Sequence, residues 1–159
     1  MQKNYLVNGL TEQELIGLFS GGKDSLTACH YLWKQGKLDE VVYCNTGVGL
    51  NFKYVLETCN KFGWKLNVLQ PKEGESFEDY IRKFGFPHNL NHLGVMGYLK
   101  WHPMRTWYNQ QKKLGRDITL ISGRRKKESA RRKRMKSMKE YEKTEGMKFY
   151  SPLFNWRTF

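Results

Sequence analysis

The sequence predicts an α/β fold: a three-layer α/β/α domain built on a mostly parallel sheet of about five strands. Three observations carry that reading. Short apolar and β-branched runs alternate with longer segments whose apolar residues recur at helical spacing. Each strand-like run is followed within a few residues by a glycine or proline. The first of these runs passes directly into a glycine-rich turn that opens a helix. A chain of 159 residues suits one domain with a sizeable core, taken here as 1–159.

The first strand is Leu15 to Phe19, an apolar run of the kind that lies buried in a parallel sheet. Ser20-Gly-Gly-Lys-Asp-Ser25 follows, and the next helix, Ser25 to Leu38, carries Leu26, Cys29, Leu32 and Trp33 on one face, with Gly36 marking an end. Glu40 to Cys44 is the second strand, closed by the turn Asn45-Thr-Gly-Val-Gly49. Phe52, Val55, Leu56, Cys59 and Phe62 mark the inner face of a helix ended by Gly63. Lys65 to Gln70 is a third strand stopped by Pro71. Ser76-Phe-Glu-Asp79 is a capping box, and it opens a helix with Tyr80, Ile81 and Phe84 inward. Gly85 to His92 reads as a loop, and Val95 to Tyr108 as a helix interrupted near Pro103. Ile118 to Ser122 is strand-like again and ends at Gly123. If the chain winds outward from the first strand and then crosses back, this strand lies beside the first. Their carboxyl ends then flank the crevice where open α/β sheets bind ligands.

Charge is unevenly distributed. The chain has a formal net charge of +13, and the stretch Arg124 to Lys139, ten Lys/Arg against one acid, supplies most of it. Such a run fits a solvated face or a grip on a polyanion, so nucleic acid is a candidate partner through residues 124–139. Cys29, Cys44 and Cys59 form no close pair, which argues against a disulfide framework or a metal site and for buried thiols. His30, His88, His92 and His102 lack a metal-ligand spacing, and no metal ligands are assigned. Nothing resembles a signal peptide or a membrane span, so the expectation is a cytoplasmic protein without a membrane partner.

The chemistry concentrates at the first turn. Gly21 and Gly22 let the backbone approach a ligand closely, while Ser20, Ser25 and the free N–H groups of a starting helix supply donors. Lys23 adds a cation for phosphate oxygens, and Asp24 a carboxylate to cap the helix, orient the loop or help hold magnesium. A Walker A loop needs Ser or Thr after Gly-Lys, where this chain has Asp24, and no dinucleotide fingerprint occurs at this turn.

Ser20-Gly-Gly-Lys-Asp-Ser25 after a strand resembles the pyrophosphate loop (PP-loop) of the N-type ATP pyrophosphatases, the group that includes the phosphoadenosine-phosphosulfate reductases. Gly123 and Arg125 with Glu128, Ser129 and Arg132 resemble the Gly-x-Arg-x-x-Glu-Ser-x-x-Arg segment of the sulfonucleotide reductases. Asn45-Thr46-Gly47 stands where that family commonly has Asp-Thr-Gly, and Phe149 to Trp156 is similar to its Pro-Ile/Leu-x-x-Trp segment. The resemblance implies an adenine nucleotide α-hydrolase-like fold. It implies ATP or a related adenine nucleotide as ligand, with magnesium. By the same resemblance, Lys23 and Asp24 are expected to take catalytic roles, and Ser20 to Ser25, Asn45, Thr46, Gly47, Gly123 and Arg125 to hold phosphate. Substrate oxyanions fall to Lys100, Arg125, Glu128, Ser129 and Arg132, since a guanidinium offers two parallel donors.

Two departures redirect the chemistry. In the iron–sulfur members a Cys-Cys pair precedes a segment like Lys100-Trp-His-Pro103; here Val95 and Met96 stand at those positions, so no iron–sulfur cluster is expected. No cysteine follows Cys59, so the reductases' nucleophilic thiol near the C-terminus is missing, as in a member without the family's C-terminal tail. The activity that the resemblance to the N-type ATP pyrophosphatases implies is ATP pyrophosphatase or adenylyl-transfer chemistry at the α-phosphate. A sulfonucleotide reductase with its thiol supplied elsewhere, and a nucleic-acid-binding component of tRNA or DNA sulfur modification, are the alternatives. A homodimer is compatible with each.

Overall fold

The computed structural model describes residues 13–48, 51–88, 92–126 and 146–156. Its strands are β1 (Glu14–Leu18), β2 (Glu40–Cys44), β3 (Lys65–Leu69), β4 (Ile118–Ile121) and β5 (Phe149–Tyr150). Its helices are α1 (Lys23–Lys34), α2 (Asn51–Phe62), α3 (Phe77–Phe84), α4 (His92–Met96) and α5 (His102–Lys113), with a π-helical turn, Gly97–Trp101, joining the last two. The strands form one sheet in the order β3-β2-β1-β4-β5, every pair parallel.

This order follows from the crossovers. The chain runs outward from β1 through α1, β2 and α2 to β3, then returns over the sheet to place β4 on the other side of β1. Right-handed connections travelling in opposite directions put their helices on opposite faces. One face accordingly packs Ala28, Cys29 and Leu32 of α1 and Val55 and Cys59 of α2 against Val41, Tyr43 and Ile121. The other packs Met104, Trp107 and Tyr108 of α5 against Ile16, Val42, Ile118 and Leu120. β1 and β4 are in register from Glu14 opposite Ile118 to Gly17 opposite Ile121, so their carboxyl ends lie side by side as the sequence predicts.

At the opposite end of the sheet the Arg116 guanidinium hydrogen-bonds Glu14, Gln111 Oε1 at 2.6 Å and Glu40 Oε2 at 2.9 Å. Asn67 Nδ2 donates to Glu40 Oε1 at 2.6 Å. This network ties the amino ends of β1 and β2 to the turn before β4.

Several expectations change. α1 starts at Lys23, two residues before the expected Ser25, and stops at Lys34, short of the expected Leu38. The helical break lies upstream of Pro103: the His102 N–H reaches Gly97 O across a π-turn, and Pro103, without a donor, sits in the first turn of α5. Leu56 and Phe84, expected inward, are exposed; Phe84 lies against the Tyr80 and Tyr98 rings on the surface of α3. The capping box holds, with Asp79 N donating to Ser76 Oγ at 3.1 Å and Ser76 N to Asp79 Oδ2 at 3.0 Å. Cys29 and Cys59 are buried as expected, whereas Cys44 is only half-buried. His30 is a packing residue between the Trp33 and Phe62 rings, and His102 Nδ1 lies 3.3 Å from Glu75 Oε2. Among the described residues no helix is long and apolar enough to cross a membrane.

Candidate functional site

The loop between β1 and α1 is folded by its two serines. The Ser25 hydroxyl donates to Gly22 O at 2.8 Å, which commits its one proton. Its oxygen therefore accepts, from Ser20 N at 3.3 Å and from the Ser20 hydroxyl at 3.2 Å. Gly21 has φ +81°, in the left-handed region, and a Cβ there would lie 3.3 Å from Val55 Cγ2, so the loop rests on α2. Gly22 is the N-cap of α1, with no side-chain cap. The first-turn amides of α1 therefore point into the crevice unassisted, as an anion cradle requires. Lys23 is exposed at the rim.

A cavity of about 170 Å³ opens beside this loop, with Phe19, Ser20, Cys44, Thr46, Asn51 and Lys100 among its lining residues. A larger open groove of about 700 Å³ runs past Tyr31, Gln35, Thr119 and Tyr150, but it includes none of the loop, so the smaller cavity is the candidate site. Lys100 enters the cavity from the π-helical turn, a local geometry common at functional sites. After β2, Gly47 N donates to Asn45 Oδ1 at 3.1 Å and Val48 N to Thr46 Oγ1 at 3.3 Å. Asn45 thus builds the turn, Gly47 supplies its φ of +71°, and Thr46 reaches the cavity wall. Burial raises the Cys44 thiol to about 11 despite the opposing Lys100 charge, and its S–H points to Lys100 O at 3.8 Å. At neutral pH this group stays a thiol, a poor nucleophile.

β4 delivers the other wall. A Cβ on Gly123 would fall 2.5 Å from Asp24 C and 2.6 Å from Ser25 N, so the chain leaving β4 touches the backbone of α1. Arg125 Nε and Nη2 reach Asp24 Oδ2 at 3.2 and 2.9 Å. Asp24 therefore faces Arg125 and does not cap the helix. The segment Phe149 to Trp156 supports this wall from behind: Ser151 Oγ donates to Arg124 O at 2.5 Å, Lys126 N to Phe154 O at 2.8 Å, and Leu153 is buried. Arg124 lies 5.4 Å over the Trp101 ring, a contact the sequence did not disclose because the motif singles out Arg125 and leaves Arg124 at an unspecified position.

Ser20, Thr46 and Lys100 thus share one cavity, while Asp24, Gly123 and Arg125 meet at the start of α1. Glu128, Ser129 and Arg132, and with them residues 127–139 of the basic run, lie outside the described residues. Magnesium, implied by the resemblance, finds its candidate carboxylate already on Arg125. Among the described residues no three His, Cys, Asp or Glu side chains are grouped to hold a metal. These residues do not form a protein-held magnesium site.

Known proteins with this architecture match the chain. No curated protein matches it significantly. Among solved structures, a phosphoadenylyl-sulfate (PAPS) reductase from Candida auris in a phosphate complex has a TM-score of 0.59 at 22% identity, over 92% of this chain and 68% of that one. A predicted subunit of tRNA methyltransferase from Methanocaldococcus jannaschii has a TM-score of 0.58 at 22% identity, over 90% and 70%. At that identity the two share the fold with this chain. The profile of the phosphoadenosine phosphosulfate reductase domain matches residues 14–159, and the chain belongs to that family.

Proposed function

We propose that the chain is a single PP-loop domain that binds ATP or a related adenine nucleotide and acts at its α-phosphate. The observation that carries this reading is the uncapped start of α1, with the Ser20–Ser25 loop folded over it beside the cavity that holds Thr46 and Lys100. Backbone amides and Lys23 hold phosphate oxygens, Lys100 and Arg125 neutralise further charge, Ser20 shapes the loop through its bonds to Ser25, and Thr46 lines the cavity. An acceptor atom bonds to the α-phosphorus, the bond to pyrophosphate breaks, and the acceptor's proton leaves to solvent. The chain contributes positioning and charge stabilisation, with no side chain placed as general base. The setting is cytoplasmic.

Calorimetric titration with ATP tests the reading. Lys23→Ala is expected to weaken binding more than about tenfold, the loss of one charge-assisted hydrogen bond, with the circular dichroism spectrum unchanged. Unchanged affinity in the folded variant removes the loop from the site.

Family membership keeps sulfonucleotide reduction as a second reading. Against it, Cys29, Cys44 and Cys59 are all held as protonated thiols by burial. The purified chain is expected to release no sulfite from phosphoadenosine phosphosulfate with thioredoxin, and sulfite release reverses the order of the two readings.

The charge of 124–139 supports a nucleic-acid partner. Neutralising Lys133, Arg134, Lys136 and Lys139 should lower tRNA or DNA affinity and its salt dependence while sparing ATP binding. Absence of nucleic-acid binding by the wild type at low salt removes that partner.

A further inference from the structure

Asp24 lies in the first turn of α1, where the helix dipole and unpaired amides already present positive potential. A guanidinium is repelled from such a place unless a counter-charge holds it there. Arg125 is nevertheless there, with only 13% of its side chain exposed, and both its Nε and Nη2 bonds converge on Asp24 Oδ2. The approach is enforced from behind. Gly123 abuts the backbone of Asp24 and Ser25, and Ser151 and Phe154 hold the carbonyl of Arg124 and the amide of Lys126 on either side of Arg125. Arg125 Nη1 makes no hydrogen bond among the described residues, which leaves donors for a tetrahedral oxyanion at the helix start.

We infer that Asp24 is a positioning residue that fixes Arg125 as the phosphate-binding cation of the loop, in the place of a magnesium ion held by the protein. The inference rests on the proposed nucleotide reading and deepens it. Magnesium is usually held by one or two carboxylates together with substrate phosphates. Here the cradle's carboxylate is shared with a guanidinium, and a dication at its remaining oxygen would stand beside that positive group. A guanidinium presents two directed donors without needing a coordination sphere, so it recognises phosphate or sulfate oxygens directly.

Two measurements test this on the whole chain. ATP is titrated into wild type, Asp24→Asn, Arg125→Ala and the double variant, each in magnesium and in EDTA. Wild-type affinity should agree between the two buffers to within about threefold, and each single variant should lose about tenfold or more in both. The double variant should lose no more than either single one, because the two side chains act as a unit. Additive losses, or an Asp24→Asn defect confined to magnesium, overturn the inference. Independently of nucleotide, Mn²⁺ alone is added to ¹⁵N-labelled free protein. Equal line widths for residues 20–25 in wild type and Asp24→Asn support the inference, and broadening that Asp24→Asn abolishes overturns it. If ATP binds in neither buffer, the nucleotide reading falls, while the Mn²⁺ comparison and loss of a slowly exchanging Arg125 Nε–H in Asp24→Asn still decide the role of Asp24.

Discussion

Gly17 of β1 faces Cys29 of α1 at a distance that admits no side chain: a Cβ at Gly17 would lie 2.5 Å from Cys29 Sγ, 3.0 Å from Val41 Cγ1 and 3.2 Å from Leu38 Cδ1. Each of these neighbours is fully buried and has nowhere to yield. Gly17→Ala should therefore destabilise the fold by about 1–3 kcal/mol, the usual cost of overpacking a tight core. A lower urea midpoint at unchanged slope is the expected result. Cys29→Ala should recover part of the loss by clearing the sulfur, and a wild-type midpoint for Gly17→Ala would contradict the packing described.

Gly123 presents a stricter case, because the atoms a Cβ would strike belong to the backbone of Asp24 and Ser25. Backbone does not rotate away, so Gly123→Ala must push the end of β4 off the start of α1. Loss of ATP affinity of at least about tenfold is expected, since Arg125 leaves with it. Calorimetry beside a melting curve separates this from general unfolding. A folded Gly123→Ala protein with wild-type affinity would show that the contact does not support binding.

Glu40 sets an acid limit on stability. Burial pushes its carboxyl up, but hydrogen bonds from Arg116 and Asn67, with the charges of Arg116 and Lys65, together outweigh that and hold it below its usual value of 4.5. A group whose pKa is lower folded than unfolded stabilises fully above the unfolded value and loses that contribution as pH falls through the folded one. Between about pH 5 and about pH 3, wild type should lose stability more steeply than Glu40→Gln. Parallel curves in urea titrations across that range would deny Glu40 the role.

The cysteines should separate by reactivity. Burial raises Cys29 to about 12 and Cys59 to about 11, and both lie inside the core. Cys44 is also raised, to about 11, yet it borders the open cavity. A small alkylating reagent at mildly alkaline pH should label Cys44 first and slowly, leaving Cys29 and Cys59 until the protein unfolds. ATP should protect Cys44 if the cavity is the nucleotide site. Mass spectrometry of the peptides gives the order, and early labelling of Cys29 would contradict the core assignment.

Where local chemistry decided the outcome, the sequence was sufficient. β1, β2 and β4 are mostly apolar or β-branched runs, β3 sets Leu66, Val68 and Leu69 just ahead of Pro71, and Ser76 to Asp79 closes its box within one turn. β5 escaped notice because two residues carry no period, and only Phe149 of the pair is buried. Pro103 marked a helical break correctly in kind but late in place, since the missing donor is accommodated by rearrangement upstream. The loop was legible as six contiguous residues. The pairing of Asp24 with Arg125 was not, because nothing in either neighbourhood says which cation a carboxylate will meet after the chain has crossed the sheet.

That crossing separates the two partners by 101 positions, which gives the binding site a history as well as a geometry. A nascent chain that has emerged only as far as α5 already carries the glycines and serines of its loop, yet has no opposite wall to set against them. Closure of so distant a contact comes late in folding, after the intervening elements have docked. Nucleotide that recognises only the closed cradle then stabilises the finished topology and none of its precursors. Ligand-dependent protection from proteolysis would accordingly be absent from ribosome-bound chains lacking β4 and arrive in a single step once β4 pairs with β1.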